Sequence, residues 1–232
     1  MKHLAQRFIN RLGYDVVKTR PAAYGELFRS GRFDRLIDVG ANKGQFLSLV
    51  RSCGYAGPVT AFEPLREHRS SIETHGNVDV VTSAVGERRG EIELNIYAQT
   101  DLSSTFRLND AFGENYEAPP LTETRTVPLV DLDSVDFAGH RMFLKIDVQG
   151  SEAAVLRGAT RTLRSVQALV MEVPFLQIYD EAASVGELFE LTRRAGLFPA
   201  RFWGNSITGF GAWVDGDVLF VRDPRSGAAS PH

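Results

Sequence analysis

The stretch Leu36-Ile37-Asp38-Val39-Gly40-Ala41-Asn42-Lys43-Gly44-Gln45-Phe46 decides the fold. A short apolar run with its charge and glycines held to the end reads as a buried parallel strand. Gly40 and Gly44 then make a tight turn, and the spacing of Phe46, Leu47, Leu49 and Val50 predicts a helix. Strand, glycine turn and helix start together aim backbone N–H groups and a positive helix end at a ligand. The pattern points to a nucleotide-type cofactor at the mouth of an α/β sheet.

The departures from the dinucleotide pattern narrow the choice. A G-x-G-x-x-G turn lets a pyrophosphate lie on the helix N-terminus. Here the spacing is G-x-N-x-G, with Asp38 at the strand end and an amide at Asn42. An acidic strand end disfavours a diphosphate and suits an ammonium or a sulfonium. Further on, Val59-Thr60-Ala61-Phe62-Glu63-Pro64 ends a second apolar strand in a carboxylate. Glu63 is placed to accept both hydroxyls of a ribose. S-adenosylmethionine combines ribose, amino-acid end and positive sulfur without a phosphate, and fits these residues best.

A chain of 232 residues suffices for one α/β domain with a full core. A net charge of −3 gives no footprint for nucleic acid. The single cysteine, Cys53, excludes a disulfide framework and a cysteine-rich zinc site. No run is long enough for a transmembrane helix, and Met1-Lys2-His3-Leu4 opens no signal-peptide apolar region. A cytoplasmic protein is therefore expected.

Along the chain, residues 1–33 are expected to form a helical cap, with helices at 3–12 and 22–30. Residues 34–223 form the main domain, with strands at 34–39, 59–63, 78–81, 142–147 and 167–172. Pro64 is expected to open a helix. Gly90 to Tyr97 alternates apolar and polar residues and reads as an antiparallel strand with one wet face. The stretch 98–123 has no sustained period and is taken as a lid loop. Near the end, Gly204-Asn205 and Asp215-Gly216 read as turns between antiparallel strands, and 224–232 as a frayed tail. His68 and His75 are expected on the surface, and Glu152 as a first-turn helix acid.

The residues also resemble a known family. Asp38-Val39-Gly40-Ala41-Asn42-x-Gly44, Phe62-Glu63-Pro64, Ala84-Val85-Gly86 and Leu144-Lys145-Ile146-Asp147-Val148-x-Gly150-x-Glu152 are similar, in order, to the motifs of the FkbM family of class I S-adenosylmethionine-dependent methyltransferases. The resemblance implies a Rossmann-like fold: a mostly parallel twisted sheet with helices on both faces and antiparallel strands at the C-terminal end. It implies O-methylation of hydroxyls on sugars, glycolipids and polyketides. Asp38, Gly40, Asn42 and Gly44 would surround the methionine part, Glu63 the ribose, and Ala84 and Val85 the adenine. One departure is Gln149, where the family commonly has Glu.

Two acids at buried strand ends are the candidates for chemistry. A charge there costs several kcal/mol unless it is paired or faces a site. Asp147 is expected to serve as base or, with Glu172, to hold a magnesium ion that lowers the pKa of the acceptor hydroxyl. The other readings open at this point are a methyltransferase-like binding or assembly module and a nicotinamide-dependent oxidoreductase. Against the last stands the absent third-glycine spacing.

Overall fold

The structure, a computed structural model, describes residues 20–30, 33–108, 119–176, 179, 181–207 and 213–222. The expected helix at 3–12, the middle of the lid stretch at 109–118 and the tail at 224–232 lie outside these residues. The chain enters through helix α1 (Arg20–Arg29), strand β1 (Arg35–Val39), helix α2 (Gln45–Ser52) and strand β2 (Val59–Phe62). Helix α3 (Arg69–Glu73), strand β3 (Val78–Val81) and strands β4 (Ala84–Val85), β5 (Gly90–Tyr97) and β6 (Leu121–Val130) follow. Then come β7 (Met142–Ile146), α4 (Glu152–Arg157), β8 (Val166–Pro174), α5 (Val185–Arg194), β9 (Leu197–Ile207) and β10 (Trp213–Arg222).

The main sheet runs β3-β2-β1-β7-β8-β10-β9. Strands β1, β2, β3, β7 and β8 are parallel, and β10 runs antiparallel to both β8 and β9. This is the Rossmann-like class I methyltransferase arrangement that the sequence predicts. A smaller sheet, β4-β6-β5, stands beside it.

Both faces of the central strands are buried, which is why they read as unbroken apolar runs. Side chains nevertheless alternate between the faces. Leu36, Phe143, Ala168 and Leu219 pack toward α1 and α2 with Tyr24, Leu47 and Val50. Ile37, Leu144, Leu169 and Phe220 pack toward α4 and α5 with Leu156 and Leu188. Tyr24 and Phe28 lay their rings against Phe143, at 6.1 and 5.2 Å between centroids, and so tie α1 to the sheet.

Three expectations are corrected. Gly204-Asn205 and Asp215-Gly216 are not turns but lie inside β9 and β10, where the ladder shifts register at Trp213/Asp215 and Asp215/Gly216. A bulge uses the same small polar residues as a turn, and local sequence does not separate them. Pro64 does not open a helix: Leu65 stays extended, a single 3₁₀ turn begins at Arg66, and α3 starts only at Arg69. Nor is His68 a surface residue, being 5% exposed and packed against Glu63.

Candidate active-site cleft

The turn after β1 takes three left-handed residues, with φ of 75° at Gly40, 47° at Asn42 and 88° at Gly44. Gly40 has no alternative, because a Cβ there would lie 1.9 Å from the carbonyl oxygen of Asp147. The glycine turn and the loop after β7 therefore touch backbone to backbone, and a cleft opens above that contact. Its volume is about 590 Å³, within the usual range for a small-molecule site.

At one end stand Glu63, Leu65, Ser83, Ala84, Val85 and Leu94. Glu63 is 5% exposed. Its Oε2 accepts the Asn42 N–H at 2.7 Å and its Oε1 the Leu65 N–H at 2.9 Å. A carboxylate has about four lone-pair sites, so two remain for hydroxyl donors. The Asn42 side-chain oxygen is buried at the cleft wall with no hydrogen-bond partner among the described residues. Unpartnered buried acceptors are uncommon and call for a donor. Together with the glycine turn, it suits the ammonium end of an amino acid, and Glu63 suits a ribose. S-adenosylmethionine fits these residues.

Asp38 and Gly44 do not line the cleft. In the parallel ladder Asp38 lies opposite Lys145, so both side chains project toward the same face of the sheet. The Lys145 ammonium sits 3.3 Å from Asp38 Oδ1 and 3.4 Å from Asp147 Oδ2, and donates to Gly40 O. Burial works against that ammonium, and the carboxylates of Asp147 and Asp38 outweigh it and push its pKa up. Burial pushes the fully buried Asp38 carboxyl up, and Lys145 opposes this. Asp38 thus props the turn from beneath. Gly44 is tight for a different reason, since a Cβ there would meet the His75 ring at 2.7 Å.

At the other end of the cleft are Asp147, Gln149, Glu172, Tyr179 and Asp215. The Asp147 side chain is 39% exposed. Glu172 is pushed well above its ordinary value by burial first, then by Asp147 and by further acids that include Asp215, Glu152 and Asp217. The Gln149 amide stands between the two, with Nε2 donating to Asp147 Oδ1 at 2.8 Å and to Glu172 Oε2 at 2.7 Å. The expected magnesium ion does not fit there, because amide hydrogens point at the oxygens a cation would need. A second chamber of about 340 Å³, lined by Tyr24, Phe46 and Lys145, shares Gly40, Asn42, Asp147 and Glu172 with the cleft.

The first part of the 98–123 stretch, expected from the sequence as a lid, packs against this end. Ser104 Oγ donates to Gln149 O, and the Thr105 and Ser151 hydroxyls share a hydrogen bond. Tyr179 OH donates to Gln149 Oε1 at 2.8 Å. Nothing in the sequence marks Tyr179, which lies in an aperiodic segment between β8 and α5.

Glu152 proves to be more than a helix-end acid. At 3% exposure it accepts the N–H groups of Val148 and Gly150 and so shapes the loop that carries Gln149. Burial raises its carboxyl from 4.5 to about 7. Its folded pKa is therefore the higher one, and the folded state keeps a proton that the unfolded chain has already released. Its contribution to stability is full below pH 4.5, falls through the window up to about 7, and is flat above. Glu152→Gln should remove that fall, about 3 kcal/mol by the usual 1.36 kcal/mol per unit. Thermal midpoints from pH 4.5 to 8 check it: the wild type should lose ground to the variant as pH rises, and parallel curves would refute the assignment.

Comparison with known proteins places this geometry in context. The family model described as the methyltransferase FkbM domain matches residues 38–197. No curated protein matches the sequence. Among solved structures, a TehB-like S-adenosylmethionine-dependent methyltransferase from Corynebacterium glutamicum is 11% identical, with 96% of this chain and 97% of that one covered and a TM-score of 0.44. A 1,6-didemethyltoxoflavin-N1-methyltransferase from Burkholderia thailandensis, with S-adenosylhomocysteine bound, is 14% identical at 88% and 78% coverage and a TM-score of 0.46. Magnesium protoporphyrin IX methyltransferase from Synechocystis is 10% identical at 96% and 97% coverage and a TM-score of 0.43.

Proposed function

The chain belongs to the FkbM family of S-adenosylmethionine-dependent methyltransferases, and from that premise we propose that it methylates a hydroxyl of a sugar, glycolipid or related natural product. The observation that carries the proposal is the pair of carboxylates, Asp147 and Glu172, at the end of the cleft opposite Glu63. Paired carboxylates accept hydrogen bonds from hydroxyls, and the neighbouring chamber offers the half-buried ring of Phe46, a surface on which a sugar face can lie. Among the described residues no helix is long and apolar enough to cross a membrane.

S-adenosylmethionine, when bound, supplies an electrophilic methyl group on a sulfonium. Glu63 would hold the ribose, Ala84 and Val85 the adenine, and Gly40 and Asn42 the methionine end. Asp147 would take the proton of the acceptor hydroxyl as the methyl group passes from the sulfonium to the hydroxyl oxygen, with a methyl ether and S-adenosylhomocysteine as the products. Alignment of the two reactants accounts for as much as ~7–11 kcal/mol of the barrier, and a positioned base adds ~10²–10⁴-fold.

The test is transfer from methyl-labelled donor to a panel of free sugars, glycolipids, polyketides and amines. Label in an ether, stable to alkali, is the expected outcome. Transfer to the amines alone, with S-adenosylhomocysteine binding intact, would replace the O-methyl proposal by N-methylation.

A further inference from the structure

We propose that Gln149 is a positioning residue: its amide N–H groups bridge Asp147 and Glu172 at the point where a divalent cation would otherwise join them, so that the pair is held without a metal. The role of the pair in methyl transfer rests on the function proposed above; the bridge itself rests on geometry. Gln149 has a φ of 53°, a conformation that residues other than glycine seldom adopt and that surrounding contacts must hold. Those contacts are in place. Its carbonyl accepts from Ser104 Oγ, and the rings of Phe106 and Tyr179 lie over the neighbouring Gly150, 3.1 and 3.3 Å from where a Cβ would stand.

The direction of the amide follows from the two carboxylates, which accept its N–H groups. The phenol oxygen of Tyr179 lies 2.8 Å from Gln149 Oε1 and 3.4 Å from the Leu102 carbonyl. The single phenol hydrogen goes to the nearer acceptor, Gln149 Oε1. Oε1 therefore points at Tyr179 and Nε2 at the carboxylates. The reverse orientation would set an amide oxygen against two carboxylate oxygens.

Nε2 has two hydrogens, one for Asp147 Oδ1 at 2.8 Å and one for Glu172 Oε2 at 2.7 Å. Magnesium requires oxygen ligands at ~2.0–2.1 Å and calcium at ~2.3–2.6 Å. An amide nitrogen with both hydrogens engaged offers neither a lone pair nor space. Among the described residues no group of three acidic, histidine or cysteine side chains is arranged to hold a metal. Asp147 and Glu172 instead keep a fixed separation through a neutral donor, which offsets the repulsion that two nearby carboxylates would otherwise suffer.

Wild type, Gln149→Glu and Gln149→Met separate the possibilities. Each is followed by thermal unfolding in EDTA and in rising MgCl₂ or MnCl₂ at constant ionic strength, with and without S-adenosylhomocysteine. Wild type and Gln149→Met should show no saturable response. Gln149→Glu, which replaces the NH₂ group by one more oxygen between the carboxylates, should gain one, a change that a purely structural role would not produce. A saturable rise in the wild type, or a Gln149→Glu protein as indifferent to metal as the wild type, would overturn the proposal. Failure of wild type to respond to S-adenosylhomocysteine would count against the methyltransferase function instead, and the metal series remains readable without it.

Discussion

Replacing Glu63 by alanine should weaken S-adenosylhomocysteine binding by ~10²–10⁴-fold. Two hydrogen bonds from ribose hydroxyls to a carboxylate, at ~1.5–3 kcal/mol each, disappear with the side chain. From the sequence alone, little loss of stability is expected. The structure revises that. Glu63 also accepts the N–H groups of Asn42 and Leu65, and a buried donor left without its acceptor costs ~1–3 kcal/mol. The variant should therefore unfold at a lower temperature as well, and binding must be measured well below its midpoint. Calorimetry on the folded variant with S-adenosylhomocysteine, beside NAD as the competing nucleotide, gives the answer. An unchanged affinity would remove Glu63 from the ribose site, and tighter binding of NAD than of S-adenosylhomocysteine by the wild type would undo the cofactor assignment altogether.

What could be read from the sequence follows from where the physics is local. Strands β1, β7 and β8 were legible because burial on both faces leaves only apolar residues between their ends, and the Gly40–Gly44 turn because positive φ at close approach admits little else. The partners of charged residues were not legible. Asp38 and Lys145 lie more than a hundred positions apart in the chain, yet neighbouring registers in one parallel ladder pair them. Parity along the strand does say on which face each must lie: Asp38 follows Leu36, Lys145 follows Phe143 and Glu172 follows Val170, all toward α2. Strand order alone, which no local pattern encodes, brings the three together. The same holds for His68 and Glu152, whose burial depends on what arrives from elsewhere in the chain. Gln149 was visible only as a departure from a motif. Its meaning needed β8, which supplies Glu172, and Tyr179 beyond it.

Asp147→Asn should reduce turnover by ~10²–10⁴-fold, the factor expected of a general base, and leave S-adenosylhomocysteine affinity within a few fold. The substitution keeps the shape of the side chain and one acceptor oxygen, which can still receive the Gln149 N–H now made to Asp147 Oδ1 at 2.8 Å. What it removes is the charge beside Lys145 and the basic oxygen. Lys145 retains Asp38 and the Gly40 carbonyl, and the lost partner is more than a third exposed, so the stability change should stay near ~1 kcal/mol. A fall in kcat with an intact midpoint and an intact donor affinity assigns Asp147 to the chemical step. EDTA should leave wild-type turnover unchanged, because the bridge between the carboxylates is an amide. If Asp147→Asn turns over normally, the proton goes elsewhere, and Glu172 is the next acid to test. Its burial beside Asp147 and Asp215 pushes its pKa upward, toward the range in which a carboxylate is a stronger base. Glu172→Gln would then show the loss that Asp147→Asn did not. If both variants remained active, neither carboxylate would be the base, and methyl transfer here would rest on alignment alone.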